Sequence, residues 1–307
     1  MSFSLPPEAV HLSFEPGPYR MAMGLVALPE SELIELDDRY FDEMPQRRAL
    51  VAERRQDVFH ATPGSEAARQ EVLDRLAAYL PERFPDWFAR RGPPGNQVLE
   101  NRLTGESWDL SALPDDPLIV AAQLVQEDLC IVQPDAADGV LLTAGVVCFP
   151  SRWQLAEKIG RPLPAVHERV PFYGDKLARP VDRFMAMVRP GKLAMRLNWS
   201  IMDDPALFQL GGKFRRAHNP AITTANAGQT LYVRVERQTL SRLAESGAVL
   251  FTIRVHVYPL SRIAERADIA ARLADAVRAL PPETELYKSL PAFRPALLGY
   301  LDARART

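Results

Sequence analysis

Two runs of alternating residues, at 231–236 and 249–258, constrain the fold of this chain more than any other feature. A β-strand turns successive side chains to opposite faces. In the first run Leu231, Val233 and Val235 therefore point one way, and Tyr232, Arg234 and Glu236 the other. In the second, Val249, Phe251, Ile253, Val255 and Val257 form an apolar face, and Thr252, Arg254, His256 and Tyr258 a polar one. Two such strands need partners. Residues 117–125, 129–132 and 140–149 supply apolar, partly β-branched runs separated by QED and PDAADG, and predict consecutive antiparallel strands. Residues 196–202 read as a further strand.

Helices flank this core. Ser31 is placed to cap a helix over 31–38, and Pro45 to end it or to begin the next, over 47–58. Ala68, Val72, Leu76 and Leu80 recur at helical spacing within a predicted helix over 65–80, with Pro81 as its stop. Short helices are expected over 151–159 and 181–188. Two more follow over 261–280, striped by Ile263, Ile269, Leu273 and Val277, and over 295–304. The first twenty residues, with Pro6, Pro7, Pro16 and Pro18, predict an extended arm ahead of a short apolar segment at 21–28. Residues 84–118 predict a loop-dominated bridge anchored by Trp87, Phe88 and Trp108, and residues 211–228 a long excursion. The class is α+β.

With 307 residues, 47% hydrophobic and 25% charged, the chain can bury a full core in one large domain or two smaller ones. Its 37 basic and 39 acidic side chains form no long run of either sign, so nothing marks a nucleic-acid or acidic-membrane partner. Cys130 and Cys148 lie in apolar runs without a CxxC spacing and read as buried thiols, not as a disulfide framework or structural zinc site. No apolar run approaches the roughly 20 residues of a membrane span, and the first residues lack the order of a signal peptide. The expected location is the cytoplasm.

Motifs exclude several enzyme classes: there is no GxGxxG, GxxxxGK[ST] or GxSxG, and His167-Glu168 is not followed by the second histidine of HExxH. Five histidines remain to be weighed. His11 and His60 read as surface residues, His218 as a turn residue, and His256 as a solvent-facing or hydrogen-bonded strand residue. His167 differs, because Pro162, Pro164 and Pro171 stiffen its loop and Val166, Val170, Phe172 and Tyr173 surround it with apolar surface. Two readings stand. One is a structural histidine in a proline-rich loop. The other is a ligand to haem iron, with Lys158, Lys176 or Arg179 near the propionates.

Two further clusters invite the same choice. In LNWSIMDDP, Asn198 and Trp199 are placed to line a pocket, whereas Asp203 and Asp204 before Pro205 read as a turn or helix cap. In YVRVERQTL, Arg234 and Glu236 either pair across strands with Arg254, which is worth little if exposed, or orient a cationic substrate or a carboxylate in a buried pocket.

These blocks, with PYRMAMGLVAL, LIELDDRYFDE, CFPSRWQLAEKIGRPLPAVHERVPFYGDKLARPVDRFM and LYVRVERQTLSRLAESGAVLFTIRVHVYPL, resemble the family of haem-dependent oxidative N-demethylase alpha subunits, which is dimethylamine monooxygenase-like. The resemblance implies an α+β fold with a PAS-like antiparallel β-sheet core and additional N- and C-terminal helices. It implies a single haem-binding domain over 1–307, divided into arm, helices and loops at 1–115, core at 116–260 and helices at 261–307. It also implies haem b, with His167 matched to the axial ligand and Lys176, Arg234 and Arg254 to cofactor binding. The activity implied is removal of an N-methyl group from a small alkylamine using O2, with release of formaldehyde. Glu236 is then the group for the alkylammonium, and Tyr173 and Trp199 its aromatic walls. A separate flavin and iron–sulfur reductase subunit is the expected electron donor, since the chain has no flavin fingerprint and only two cysteines. A haem- or ligand-binding PAS-type sensor without turnover would use the same sheet and the same histidine.

Overall fold

The alternating runs become the two longest strands of a seven-stranded antiparallel sheet. The computed structural model describes residues 4–14 and 17–306; Pro16, expected in the arm, lies outside them. In chain order the strands are β1 (Val26–Leu28), β2 (Phe59–Ala61), β3 (Phe88–Arg91), β4 (Val98–Asn101) and β5 (Glu106–Asp109), then β6 (Asp128–Asp135), β7 (Gly139–Val146), β8 (Leu193–Met202), β9 (Tyr232–Arg242) and β10 (Val249–Pro259). The main sheet runs β1-β8-β9-β10-β6-β7-β2, and β3-β4-β5 form a separate meander. Helices precede and follow it, so the protein is α+β. Both cysteines are free and buried, and no helix among the described residues is long and apolar enough to cross a membrane.

Register decides what each face of this sheet carries. Glu236 on β9 pairs with Val255 on β10 and with Asn198 on β8, whereas Arg237 pairs with Arg254 and with Leu197. Directly paired residues share a face and neighbours alternate. One face therefore holds Arg196, Asn198, Ser200, Arg234, Glu236 and Gln238. The segment over 150–190 covers its apolar continuation, where Cys130, Val132, Leu240 and Val249 pack with Leu163 and Met185. The opposite face carries Ile201, Val233, Val235 and Tyr258 beneath the C-terminal helices Ala267–Arg278 and Arg294–Ala305.

This register corrects the expected pairing of Arg254 with Arg234 and Glu236. Arg254 is fully buried on the other face, where its guanidinium donates to Asp37 at 2.7 Å and to Glu43 at 2.7 Å. The polar face of β10 is thus not solvated: Thr252, Arg254, His256 and Tyr258 are all 0% exposed. Residues 5–11, residues 33–37 and the helix Tyr40–Glu53 supply its cover.

Several expected elements take another form, each for a local reason. Over 31–38 the chain forms only the end of a 3-10 turn, Glu30–Glu32, because the N–H groups of Glu35 and Asp37 donate to the side chains of Glu127 and Gln126, at 2.9 and 3.1 Å. The helix starts at Tyr40 and continues through Pro45 to Glu53. Pro81 does not stop the next helix, Glu66–Arg83, because the missing donor falls in its last turn. The expected strand at 117–125 is the helix Pro117–Ala122: Asp116 accepts from the Leu118 N–H at 2.9 Å, and Pro117 pre-sets the first turn. Its apolar run has no period, and period alone cannot tell a buried helix from a buried strand. The bridge over 84–118 folds as β3–β5, and its expected anchors Phe88 and Trp108 are 1% and 6% exposed. Only a 3-10 turn, Leu155–Glu157, forms within 151–159, and Pro282–Tyr287 is a helix that no sequence signal announced.

The Arg254 cluster is where the fold is most easily broken, since removing one member strands buried charges of the others. Arg254→Ala is expected to lower unfolding free energy by about 3–5 kcal/mol in urea denaturation. A loss below about 1 kcal/mol would show that the carboxylates of Asp37 and Glu43 find other partners.

Candidate functional site

Proline sets the frame for His167. Pro162 ends an extended stretch and caps the turn Leu163–Val166, which places His167 at the turn's end. The carbonyl of Leu163 then accepts twice from this residue, from its backbone N–H at 3.1 Å and from ring Nδ1 at 2.8 Å. Since a carbonyl only accepts, Nδ1 carries the proton and Nε2 keeps a lone pair. The ring stacks on Tyr173 at 4.4 Å between centroids and 9° between planes. Tyr173 is buried, its hydroxyl has no partner, and burial pushes that hydroxyl up to about 12.

Around this pair lies a concentration of cations, with Glu236 as the buried carboxylate among them. Glu236 accepts from Ser151, from Asn198 at 3.3 Å and from Gln238 at 2.8 Å. Burial opposes its ionisation, yet these hydrogen bonds and the charge of Arg234 outweigh burial and hold the carboxyl below its ordinary value. Burial lowers Lys288 to about 8, with Glu236 opposing and Lys213 and Arg196 assisting. It lowers Lys213 to about 8 as well, and displaces Lys158 and Arg196 in the same direction. Lys213 donates to Tyr287 at 2.8 Å, Lys288 to the Trp199 carbonyl and Lys158 to the Val166 carbonyl, while Arg196 Nε has no partner. Lys213, Lys288 and Arg196 thus share Glu236, and with Lys158 beside it the space next to His167 favours an anion.

Backbone strain marks the same place. Among the described residues four non-glycine residues have positive φ: Arg152 at 62°, Phe172 at 63°, Phe214 at 62° and Ser289 at 58°. Each is the immediate neighbour of a residue just named, namely Ser151, Tyr173, Lys213 and Lys288. A left-handed conformation costs roughly 1–2 kcal/mol for a residue with a Cβ, and such strain gathers where function fixes the geometry.

The expected site residues divide. His167, Tyr173, Asn198 and Glu236 come together. Arg234 is close to Glu236 but its guanidinium is spent: Nε donates to Ser151 at 2.8 Å, Nη1 to the Ala206 carbonyl at 3.1 Å, and Nη2 to the carbonyls of Phe149 and Leu207 at 2.8 and 3.0 Å. It is a strut that holds Ser151 against β9. Lys176 is exposed and lies over the Phe172 ring at 5.2 Å. Trp199 and Arg254 belong to the opposite face, Trp199 packing edge-on against Phe14 at 6.0 Å, with Lys288 Nζ over its ring at 5.3 Å. Asp203 is no simple turn residue either. It pairs with Arg152 at 2.8 Å and with Arg215, at the edge of a cleft of about 550 Å³ whose lining does not include His167.

Lys213, Lys288, Tyr287 and Arg196 were not singled out from the sequence. They arrive from a loop, a short helix with its C-cap, and the strand β8, far apart in the chain and with no shared motif. A protein-family model described as haem-dependent oxidative N-demethylase, alpha subunit-like, matches residues 24–298.

Burial lowers His167 from an ordinary 6.5 to about 4, assisted by Lys158, Arg196 and Lys213 and opposed by the Leu163 hydrogen bond. Between these values the unfolded chain binds more protons than the folded one. The contribution of this ring to stability is therefore fully present above about pH 6.5 and is lost as pH falls toward 4. Urea midpoints of the wild type should fall more steeply than those of His167→Gln across this window; parallel profiles would mean that the ring is solvated.

Proposed function

The chain belongs to the haem-dependent oxidative N-demethylase, alpha-subunit-like family, and we propose that it binds haem b through Nε2 of His167 and removes an N-methyl group from a small alkylamine such as dimethylamine. The observation that carries this reading is the His167 ring. Its Nδ1 is committed to the Leu163 carbonyl, which leaves a neutral, oriented Nε2 within a cation-rich space. A hydrogen bond on the far nitrogen is what fixes the tautomer of a metal-bound imidazole. The group fits the donors present in three respects: Nε2 would hold the iron, the stacked Tyr173 would form part of an apolar wall, and Arg196, Lys213 and Lys288 would partner the two carboxylates. The last three take the place first given to Lys176, Arg234 and Arg254, for the reasons of exposure, saturation and register set out above.

When bound, haem would supply oxygen activation and oxidation of the N-methyl carbon, with formaldehyde as the product. The chain's own contribution is to bind and orient. Glu236, ionised and fixed by Ser151, Asn198 and Gln238, is the counter-ion for an alkylammonium. Carboxylates paired with Lys213 and Lys288 would release Glu236 from those cations, so that cofactor and amine bind more favourably together than separately. Tyr173, stacked on His167 and with no partner for its hydroxyl, would be free to donate a hydrogen bond beside that ring. Electrons are proposed to come from a separate flavin and iron–sulfur subunit, in keeping with the alpha-subunit description of the family. A PAS-like core is supported by the central strands β8-β9-β10-β6-β7, with the helical insertion between β7 and β8 covering the site face. We treat residues 1–307 as one haem-binding unit.

Titration of the purified protein with haemin should give a sharp Soret band that is lost in His167→Ala; a spectrum indifferent to that substitution would refute the ligand assignment. Lys213→Ala and Lys288→Ala should each weaken haemin binding roughly 10-fold or more, the worth of a hydrogen bond to a charged group. With haem, O2 and a reductase, dimethylamine should yield formaldehyde, and Glu236→Gln should raise KM more than it lowers kcat. Haem binding without formaldehyde from any small methylamine would instead favour the sensor.

A further inference from the structure

On the face of the sheet opposite the candidate site, His256 presents a fully buried imidazole to the N-terminal arm. Its Nδ1 lies 3.3 Å from Glu8 Oε1, while Nε2 has no hydrogen-bond partner. That unpartnered atom faces Glu35 Oε1 at 3.9 Å. His11 completes the group: its Nε2 is 2.9 Å from Glu35 Oε1 and 3.1 Å from Oε2, and its ring centroid is 4.8 Å from that of His256. With the proton of His256 on Nδ1 and donated to Glu8, a bare Nε2 opposes a carboxylate oxygen inside the protein. Two electron-pair donors facing each other in low dielectric repel unless a cation lies between them.

We propose that His11, Glu35 and His256 bind one divalent transition-metal ion of the zinc class, with Glu8 as the outer partner that fixes the His256 tautomer. One ligand atom from each of the three lies within 4.8 Å of the others. Metal–nitrogen and metal–oxygen bonds of about 2.0–2.2 Å place tetrahedral ligands roughly 3.3 Å apart, so small side-chain rotations close the shell. Imidazole nitrogens with one carboxylate suit zinc and its neighbours better than calcium or magnesium, which prefer all-oxygen sets. Each nearby arginine has a carboxylate partner: Arg254 has Asp37 and Glu43, Arg262 has Glu8, and Arg237 has Glu35 Oε2 at 3.2 Å with the Glu32 carbonyl, although Arg237 Nη1 and Arg254 Nε have no partner. Arg237 thereby leaves Oε1 turned toward both histidines.

The arm does not need the ion in order to reach the sheet. The Tyr258 hydroxyl donates to the Ala9 carbonyl at 2.6 Å, the Asp38 backbone N–H to the Pro6 carbonyl at 2.9 Å, and the Glu8 N–H to the Asp38 carboxylate at 3.1 Å. The donors are thus held in place beforehand, and the ion fastens the arm, the 33–37 segment and β10 together. Three protein ligands leave a fourth position for water, at the partly exposed edge formed by His11 and Glu35.

The test is titration of the full-length, chelator-treated protein with Co2+, read by visible ligand-field absorption and by competition with Zn2+. One equivalent should bind and raise the unfolding temperature. His11→Gln, at a half-buried position on the arm that spares the core, should reduce affinity by more than the roughly 10–100-fold expected for Glu8→Gln as an outer-shell change. His167→Ala should leave this binding unaltered. The proposal fails if no stoichiometric binding occurs, if binding survives both His11→Gln and Glu35→Gln, or if it disappears with His167.

Discussion

Between β8, β9 and β10 the register sets Glu236 against Asn198 and Val255, and Arg237 against Arg254 and Leu197. A slip of one residue would exchange the faces, bringing Arg254 into the candidate site and Glu236 under the C-terminal helices. Both faces are occupied by partners that fit only the observed parity. Asp37 and Glu43 wait for Arg254, and Ser151 and Asn198 for Glu236. Each set would be left with unpaired buried groups by the alternative, so the two faces lock one another. The separation of a structural charge cluster from a ligand-facing one follows from that lock.

The two faces are stabilised differently. On the structural face Arg47, Arg237 and Arg254 each have a carboxylate in contact, and the arginines link the 35–37 segment, the first helix and the sheet. On the site face cations outnumber anions and lysines are lowered toward neutrality by burial. Four side chains also hold left-handed backbone there. Such an arrangement is unfavourable for the isolated chain and becomes favourable when an anion enters, so binding and stability are thermodynamically linked at this site. Arg234 connects the two regimes. Fully used by backbone carbonyls and Ser151, it fixes the loop over 206–207 and the start of the covering segment at the distance the site requires.

The strands β8–β10 and the helices with an apolar stripe were legible in the sequence because their periodicities, two and 3.6, are properties of the local chain. The PDAADG turn gave the β6–β7 hairpin for the same reason. The run at 117–125 lacked any period and so hid a helix. Residues 31–38 had the composition of a helix but lost it to side chains of Gln126 and Glu127, nearly a hundred residues away. Asn198, Glu236, Tyr173 and His167 were visible as chemistry near prolines or on a polar strand face. Lys213 and Lys288 were not, since a lysine in a turn carries no sign of being buried.

By itself the sequence determined which residues alternate, where proline stiffens the chain around His167, and which family the whole resembles. Those are local or pairwise-comparable properties. Only the tertiary structure decided which polar residues face which side, because face is set by register between strands that the chain joins through long connections. It also decided that His11 and His256, read as a surface residue and a strand residue, meet at Glu35: that encounter depends on the arm crossing the sheet, an event no window of sequence contains.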